Sequence, residues 1–315
     1  MKRPADSAPP LPTDSLPAAS GPTAPPRPLY WSVRRELWEN RSIVVAPLAV
    51  AAVVLFGTSI GMLGLPAKMR RLAELDPASQ HAAVVQPFSM APAPIMFATL
   101  LVGLFYSLDA LYGERRDRSI LFWKSLPVSD RTTVLAKASI PIVVLPAVAL
   151  ALSVVTVAAL LAVGTLILAA SGTSPLRLWA EHRFLQEAVI MLYGLTVHAL
   201  WFAPIYAWLL MISAWARRAP FLWAVLPPFA IMVLEWIAFG TSHLAALIGY
   251  RVTGAMAEAF AAMPGSDGEI PDQVMQLTQL TPLEFLSSPG LWLGLAGAAA
   301  FLAAAVRLRR SRAPL

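Results

Sequence analysis

Read for its alternation of apolar and polar positions, the chain divides into long hydrophobic runs separated by short polar stretches. Six runs stand out: Ile43 to Leu65, Ala93 to Tyr112, Ala138 to Ala170, Leu185 to Trp215, Phe221 to Phe239 and Gly290 to Val306. Each holds at least the roughly 17 residues with which a helix rising 1.5 Å per residue can cross a bilayer core of about 30 Å. Several carry prolines that predict kinks or tilts: Pro141 and Pro146 in the third, Pro204 in the fourth, Pro227-Pro228 in the fifth. The pattern therefore predicts an all-α membrane protein with six transmembrane helices.

The stretches between and before the runs add detail. Leu29 to Arg41 places Leu29, Val33 and Leu37 on one helical face, with Tyr30 and Trp38 beside them and Arg34, Arg35, Glu36 and Glu39 elsewhere. That pattern suits an N-terminal amphipathic helix lying in the headgroup region, assigned to residues 29–42. Residues 1–28 are rich in Pro, Ala and Ser, with too little apolar surface to offset their ordering entropy, and read as a disordered cytoplasmic tail. Pro66 to Pro92 and Ser171 to Arg183 read as loops. Between Gly240 and Ser288 no further full run occurs; Ala255 to Met263 and Val274 to Leu280 read as short helices, and Thr281-Pro282-Leu283-Glu284 as a capping box with proline at the first helical position. Residues 43–312 form one six-helix domain.

Charge assigns the sides. With six crossings, eighteen of the 24 Lys and Arg residues fall with both termini, the 108–138 connection and Arg217-Arg218, against six on the opposite face. By the positive-inside rule both termini and that connection are cytoplasmic. The connection from Leu108 to Ala138 is the only long segment between two runs that is dense in charge. Pro127 interrupts helical continuity there, and Ser129 or Asp130 is placed to cap a fresh helix. The second run thus leaves the bilayer, forms a short charged helix, breaks and re-enters: a cytoplasmic elbow.

These residues also carry a likeness. Glu114-Arg115-Arg116 before an apolar turn, then Ser125-Leu126-Pro127-Val128-Ser129 and Lys137 heading the third run, resembles the membrane subunits of ABC-2-type ATP-binding-cassette exporters. It is sharpest over some thirty residues, with hydropathy layout in support elsewhere; Asp117-Arg118-Ser119 stands where that family often has Gly-Thr. The resemblance implies a permease of the bacterial inner membrane that binds no cofactor itself. It implies a separate ATPase subunit holding ATP and Mg, a homodimer or heterodimer of permease subunits, the interfacial helix, and re-entrant helices before the sixth crossing. It assigns Glu114, Arg115, Arg116, Asp117, Lys124, Pro127, Ser129 and Arg131 to ATPase coupling.

Composition and motifs narrow the alternatives. A mean hydropathy of +0.65 with 13% charged residues excludes a soluble domain. The net charge of +6 belongs to loops flanking apolar runs, where it sets topology rather than nucleic-acid binding. Without cysteine there is neither a disulfide framework nor a thiolate metal site. The sequence contains no G-x-x-x-x-G-K-[ST] loop and no H-E-x-x-H, so ATP held in the P-loop manner is excluded and a zinc-protease site is not indicated. Gly57-Thr58-Ser59-Ile60-Gly61 matches the nucleophile-elbow pattern G-x-S-x-G, but lies mid-helix, where Gly57 and Gly61 read instead as a G-x-x-x-G packing face. Of the ionisable residues within or bordering the runs, Glu235 and His198 are the candidates for lining a pathway, and Glu187 sits near a helix end. The main expectation is a permease subunit exporting a hydrophobic or amphipathic substrate. The alternatives are a membrane hydrolase using Ser59 or Ser242-His243, and a non-transporting scaffold or sensor.

Overall fold

Long helices that are apolar on most sides have no favourable place in water, and the described residues of this chain build six of them. The structure, a computed structural model, describes residues 27–71, 84–125, 128–261 and 277–311, without the side chains of residues 177 and 181. Residues 1–26 of the expected tail, Pro127 and residues 274–276 of the expected Val274 to Leu280 helix lie outside the described residues; Leu277–Gln279 of that helix form a 3-10 turn. Among the described residues there is no strand, only one isolated bridge between Phe260 and Leu280.

In chain order the helices are α1 (Pro28–Glu39), α2 (Ser42–Gly61), α3 (Leu65–Arg71), α4 (Pro92–Asp109), α5 (Tyr112–Arg116), α6 (Ile120–Ser125), α7 (Asp130–Ser139), α8 (Leu145–Ala170), α9 (Leu176–Glu181), α10 (Phe184–Trp215), α11 (Pro220–Phe239), α12 (His243–Thr253), α13 (Ala255–Ala259), α14 (Pro282–Ser287) and α15 (Pro289–Ser311). Among the described residues, six helical segments are long and apolar enough to span a membrane: Ser42–Arg71, Val84–Arg116, Asp130–Ala170, Phe184–Trp215, Pro220–Phe239 and Pro289–Ser311. Helices α2, α4 and α8 pack on one another; α10 lies against α4 and α8 and makes its most extensive contact with α15. Helix α11 is largely exposed, with Phe229, Leu234, Trp236 and Phe239 facing outward. Water would penalise so broad an apolar surface, whereas lipid or a second subunit would not.

Several boundaries differ from the sequence pattern, each for a local reason. The first helix does not end before Pro66: a 3-10 turn, Met62–Gly64, leads into α3. Pro66 falls at the second position of that helix, where a missing backbone donor costs nothing. Residues 84–89 are helical as well, so the loop expected from Pro66 to Pro92 is shorter than its polarity implies. The third crossing begins at Asp130 rather than Ala138. Pro141 is absorbed by one π turn, Ile140–Val144, which joins α7 to α8 instead of breaking the helix, and Pro146 falls at the second position of α8, where a missing donor costs little. Pro227 and Pro228 likewise lie inside a continuous α11. Helix α12 was not expected from the pattern, and the helix expected from Ala255 ends at Ala259. Thr281 makes no side-chain cap, so only the proline of the expected capping box is used.

The cap expected near Ser129 does form. Its side chain accepts from the Thr132 amide at 3.1 Å, at the start of α7. Ser129→Ala should lower stability by about 1 kcal/mol, read as a downward shift in the thermal midpoint of the detergent-solubilised protein. An unchanged midpoint would show that the end of α7 is held by its packing instead.

Candidate functional site

The connection between α4 and α7 owes its shape to a buried cluster of charges. From α1, Glu36 points into the bundle and is fully buried, with Ser32 on the same face and Val33 and Leu37 packing beside it against Ile43, Tyr106, Ile140 and Leu145. Lys137 of α7 donates to both Glu36 carboxylate oxygens, at 2.9 and 3.0 Å, and Tyr106 of α4 donates to Oε2 at 2.7 Å. The Lys137 ammonium also lies 3.1 Å from Oε1 of Glu114 in α5. Arg309 of α15 bonds the other Glu114 oxygen and reaches Asp130 at 3.0 Å. Arg35 touches Glu36 at 2.7 Å and Glu114 at 3.5 Å while its guanidinium stacks 3.9 Å over the Trp123 ring of α6. Three carboxylates (Glu36, Glu114, Asp130) thus face three cations (Arg35, Lys137, Arg309). Buried charge is tolerated only where it is matched and hydrogen-bonded in this way.

A second set of bonds fixes α5 to α10. Ser213 Oγ accepts from the amides of Leu111 and Tyr112 at 3.0 and 2.9 Å, satisfying donors that the helix start leaves free. Arg115, 2% exposed, donates to the carbonyls of Ala214 and Ala216 at 2.6 and 3.0 Å, where α10 ends. One charged turn therefore binds α1, α4, α7, α10 and α15 together.

Burial also has an electrostatic consequence. It pushes the Glu36 carboxyl up, but the Lys137 charge and hydrogen bonds from Lys137, Tyr106 and Arg35 more than offset that, leaving it below the ordinary 4.5. Because the unfolded chain takes up that proton more readily, Glu36 contributes stability above pH 4.5 that is lost as pH falls through the lowered value. The thermal midpoint should hold steady from neutral pH to about 4.5 and drop below it; a decline already complete above that range would remove Glu36 as the cause.

The residues singled out from sequence separate accordingly. Glu114 and Arg115 are buried partners within the chain. Arg116, Asp117, Lys124, Ser129 and Arg131 are exposed, and Arg116 pairs at the surface with Asp117 at 3.0 Å and Asp109 at 3.6 Å. Leu121 and Phe122 of α6 add an exposed apolar patch to this face. Arg118, beside Asp117, adopts φ +58°, the left-handed region where a side chain costs roughly 1–2 kcal/mol and glycine costs nothing. Gly57 and Gly61 do not pack within the chain: a Cβ at either would meet nothing within 4 Å, so their face of α2 looks outward.

Glu235 is likewise not in a cavity. Its Oε1 accepts from the Thr241 hydroxyl and the His243 amide, at 2.9 and 2.7 Å, and its Oε2 from the Leu244 amide at 3.0 Å. It caps α12 from eight residues upstream, beyond the reach of a local capping pattern. The carboxylate meets the backbone of His243, not its ring, so the Ser242-His243 pair gains no acid partner from Glu235.

His198 does line a cavity. A half-open space of about 780 Å³ lies between α4, α8 and α10, with Met256 and Phe260 also in its lining. His198 Nε2 lies 3.1 Å from the Tyr206 hydroxyl, with the Phe202 ring stacked on its imidazole at 4.3 Å. Missing from the sequence reading were Glu36, Tyr106, Asp130, Ser213 and Arg309. None of them carried an advance signal: the helical pattern of residues 29–41 sets Glu36 apart from the face of Leu29, Val33 and Leu37, and its partners are distant in the chain. No family model, curated protein or solved structure matches this chain.

Proposed function

We propose that the chain is the transmembrane permease subunit of an ATP-driven exporter of the ABC-2 type, set in the bacterial inner membrane with both termini cytoplasmic. A separate ATPase subunit, carrying ATP and Mg, docks beneath α5 and α6, the coupling elbow. Two permease subunits, identical or related, make up the membrane part, and the outward faces of α2 (with Gly57 and Gly61) and α11 are available to a partner or to lipid. Helices α12 to α14 serve as short re-entrant helices before the last crossing, and α1 lies along the headgroups with Tyr30, Trp31 and Trp38 outward.

The observation that carries this reading is the buried, charge-balanced cluster around Glu114 and Lys137. It makes the elbow a stiff extension of the bundle rather than a loose loop. A push on the exposed face of α5 and α6 is then transmitted to the helices that the cluster binds, a rigid-body motion rather than a local flexing. Glu114 and Arg115 act in that transmission from inside; Arg116, Asp117, Lys124 and Arg131, with Leu121 and Phe122, are the contact surface.

Charge reversal at Arg116 and Lys124 together tests the reading. Arg116→Glu with Lys124→Glu should abolish co-purification of a co-expressed ATPase subunit while the permease still inserts and elutes as the wild type does. Undiminished co-purification would count against docking at the elbow.

A further inference from the structure

The cavity between α4, α8 and α10 has the size of a small-molecule site, within the usual range of about 300–1,000 Å³. Its lining is specific in three respects. It is drawn out, running along α10 from Phe184 to Tyr206, about 33 Å at 1.5 Å per residue. It is dominated by apolar side chains, including four methionines (Met90, Met96, Met191, Met256) whose flexible thioethers adapt to irregular hydrocarbon. And among the described residues that line it there is no lysine or arginine.

The polar points are few. Glu187, at the end remote from the elbow, has the His182 Nδ1 at 3.3 Å. Thr99 donates to the Met96 carbonyl at 2.8 Å. His198, partway along, uses one ring nitrogen on Tyr206 and keeps the other available. An anionic headgroup would find no countercharge here and would face the Glu187 carboxylate. A neutral hydroxyl or carbonyl, in contrast, finds a hydrogen-bonding ring with aromatic and aliphatic walls on either side.

We propose that this cavity binds a single-chain neutral amphiphile, an alkyl or isoprenoid chain ending in a hydroxyl or carbonyl that hydrogen-bonds to His198. That such a molecule is also the exported cargo rests on the permease reading above; its binding does not.

Gly194 supplies a clean control. It lines the cavity, and a Cβ there would meet only the Phe260 ring, at 3.8 Å, so a larger side chain enters the cavity rather than the helix packing. The experiment is photolabelling of the full chain in nanodiscs, without any ATPase, by a diazirine-bearing hexadecanol, with labelled peptides mapped by mass spectrometry. Label is expected on α4, α8 and α10 around Met96, Leu145 and Met191. Unlabelled hexadecanol should compete at least tenfold better than palmitate at neutral pH. Gly194→Phe should remove the cavity label, and His198→Phe should weaken it about three- to tenfold, the loss of one hydrogen bond. Label confined to the outward faces of α2 and α11, or undiminished in Gly194→Phe, would overturn the site. Equal competition by palmitate would overturn the neutral headgroup. Cavity labelling that stands while ATPase-driven export of the same alcohol fails would leave the site intact and count against the permease reading.

Discussion

Replacing Lys137 by methionine is expected to destabilise the protein by about 3–5 kcal/mol, the range for removing one partner of a buried ion pair. The Lys137 ammonium is 3% exposed and sits between two buried carboxylates, donating twice to Glu36 and lying 3.1 Å from Glu114. Methionine fills the space but leaves those carboxylates facing each other with Arg35 as the one shared cation among the described residues. The measurement is the thermal or denaturant midpoint in detergent, followed by fluorescence-detected size exclusion. Glu36→Gln added to Lys137→Met should recover a substantial part of the loss, because the second change removes the charge that the first left unmatched. Two effects that simply add would mean that Glu36 and Lys137 are not coupled, and the cluster would lose its role as the stiffening element.

Arg115→Glu is expected to be nearly as damaging, and Arg116→Glu to leave folding intact, although the two residues are neighbours of identical type. Arg115 holds the Ala214 and Ala216 carbonyls from a buried position. A carboxylate in its place sets an acceptor against acceptors, and a cost of about 3–5 kcal/mol follows from an uncompensated buried charge. Arg116 is half-exposed, its partners Asp109 and Asp117 are exposed too, and such surface pairs contribute little. The prediction is loss of monodisperse protein for Arg115→Glu, and a wild-type elution profile for Arg116→Glu, combined on the proposed docking with weaker ATPase retention. If both variants fold equally well, the inward assignment of Arg115 is wrong. A charge reversal made at both positions at once would confound folding with docking, so the two must be separated.

How much of this was legible beforehand varies with the kind of feature. The Ser129 cap was readable because a cap involves residues three apart, Ser129 and Thr132. The position of the charged connection between α4 and α7 was readable because charge between two apolar runs is visible locally. The roles within it were not: Glu114, Arg115, Arg116 and Asp117 are equally polar as letters, and only the direction of each side chain separates buried partner from exposed surface. Glu235 illustrates the same limit. A glutamate in an apolar helix suggests a pathway, yet its oxygens are taken up by the amides of His243 and Leu244 around a bend at Gly240 that periodicity does not describe.

Membrane-crossing segments are set by the length of apolar runs, a property of the one-dimensional chain, so the number and approximate bounds of the six long helices follow from the sequence by itself. Which charges meet is a property of the packed bundle. Glu36 and Lys137 are 101 residues apart, Glu114 and Arg309 are 195 apart, and the cavity beside His198 exists only where α4, α8 and α10 fail to close on one another. Helices are specified by neighbours a few residues away, whereas burial of a charge depends on surfaces contributed by distant segments, and only their assembly decides it.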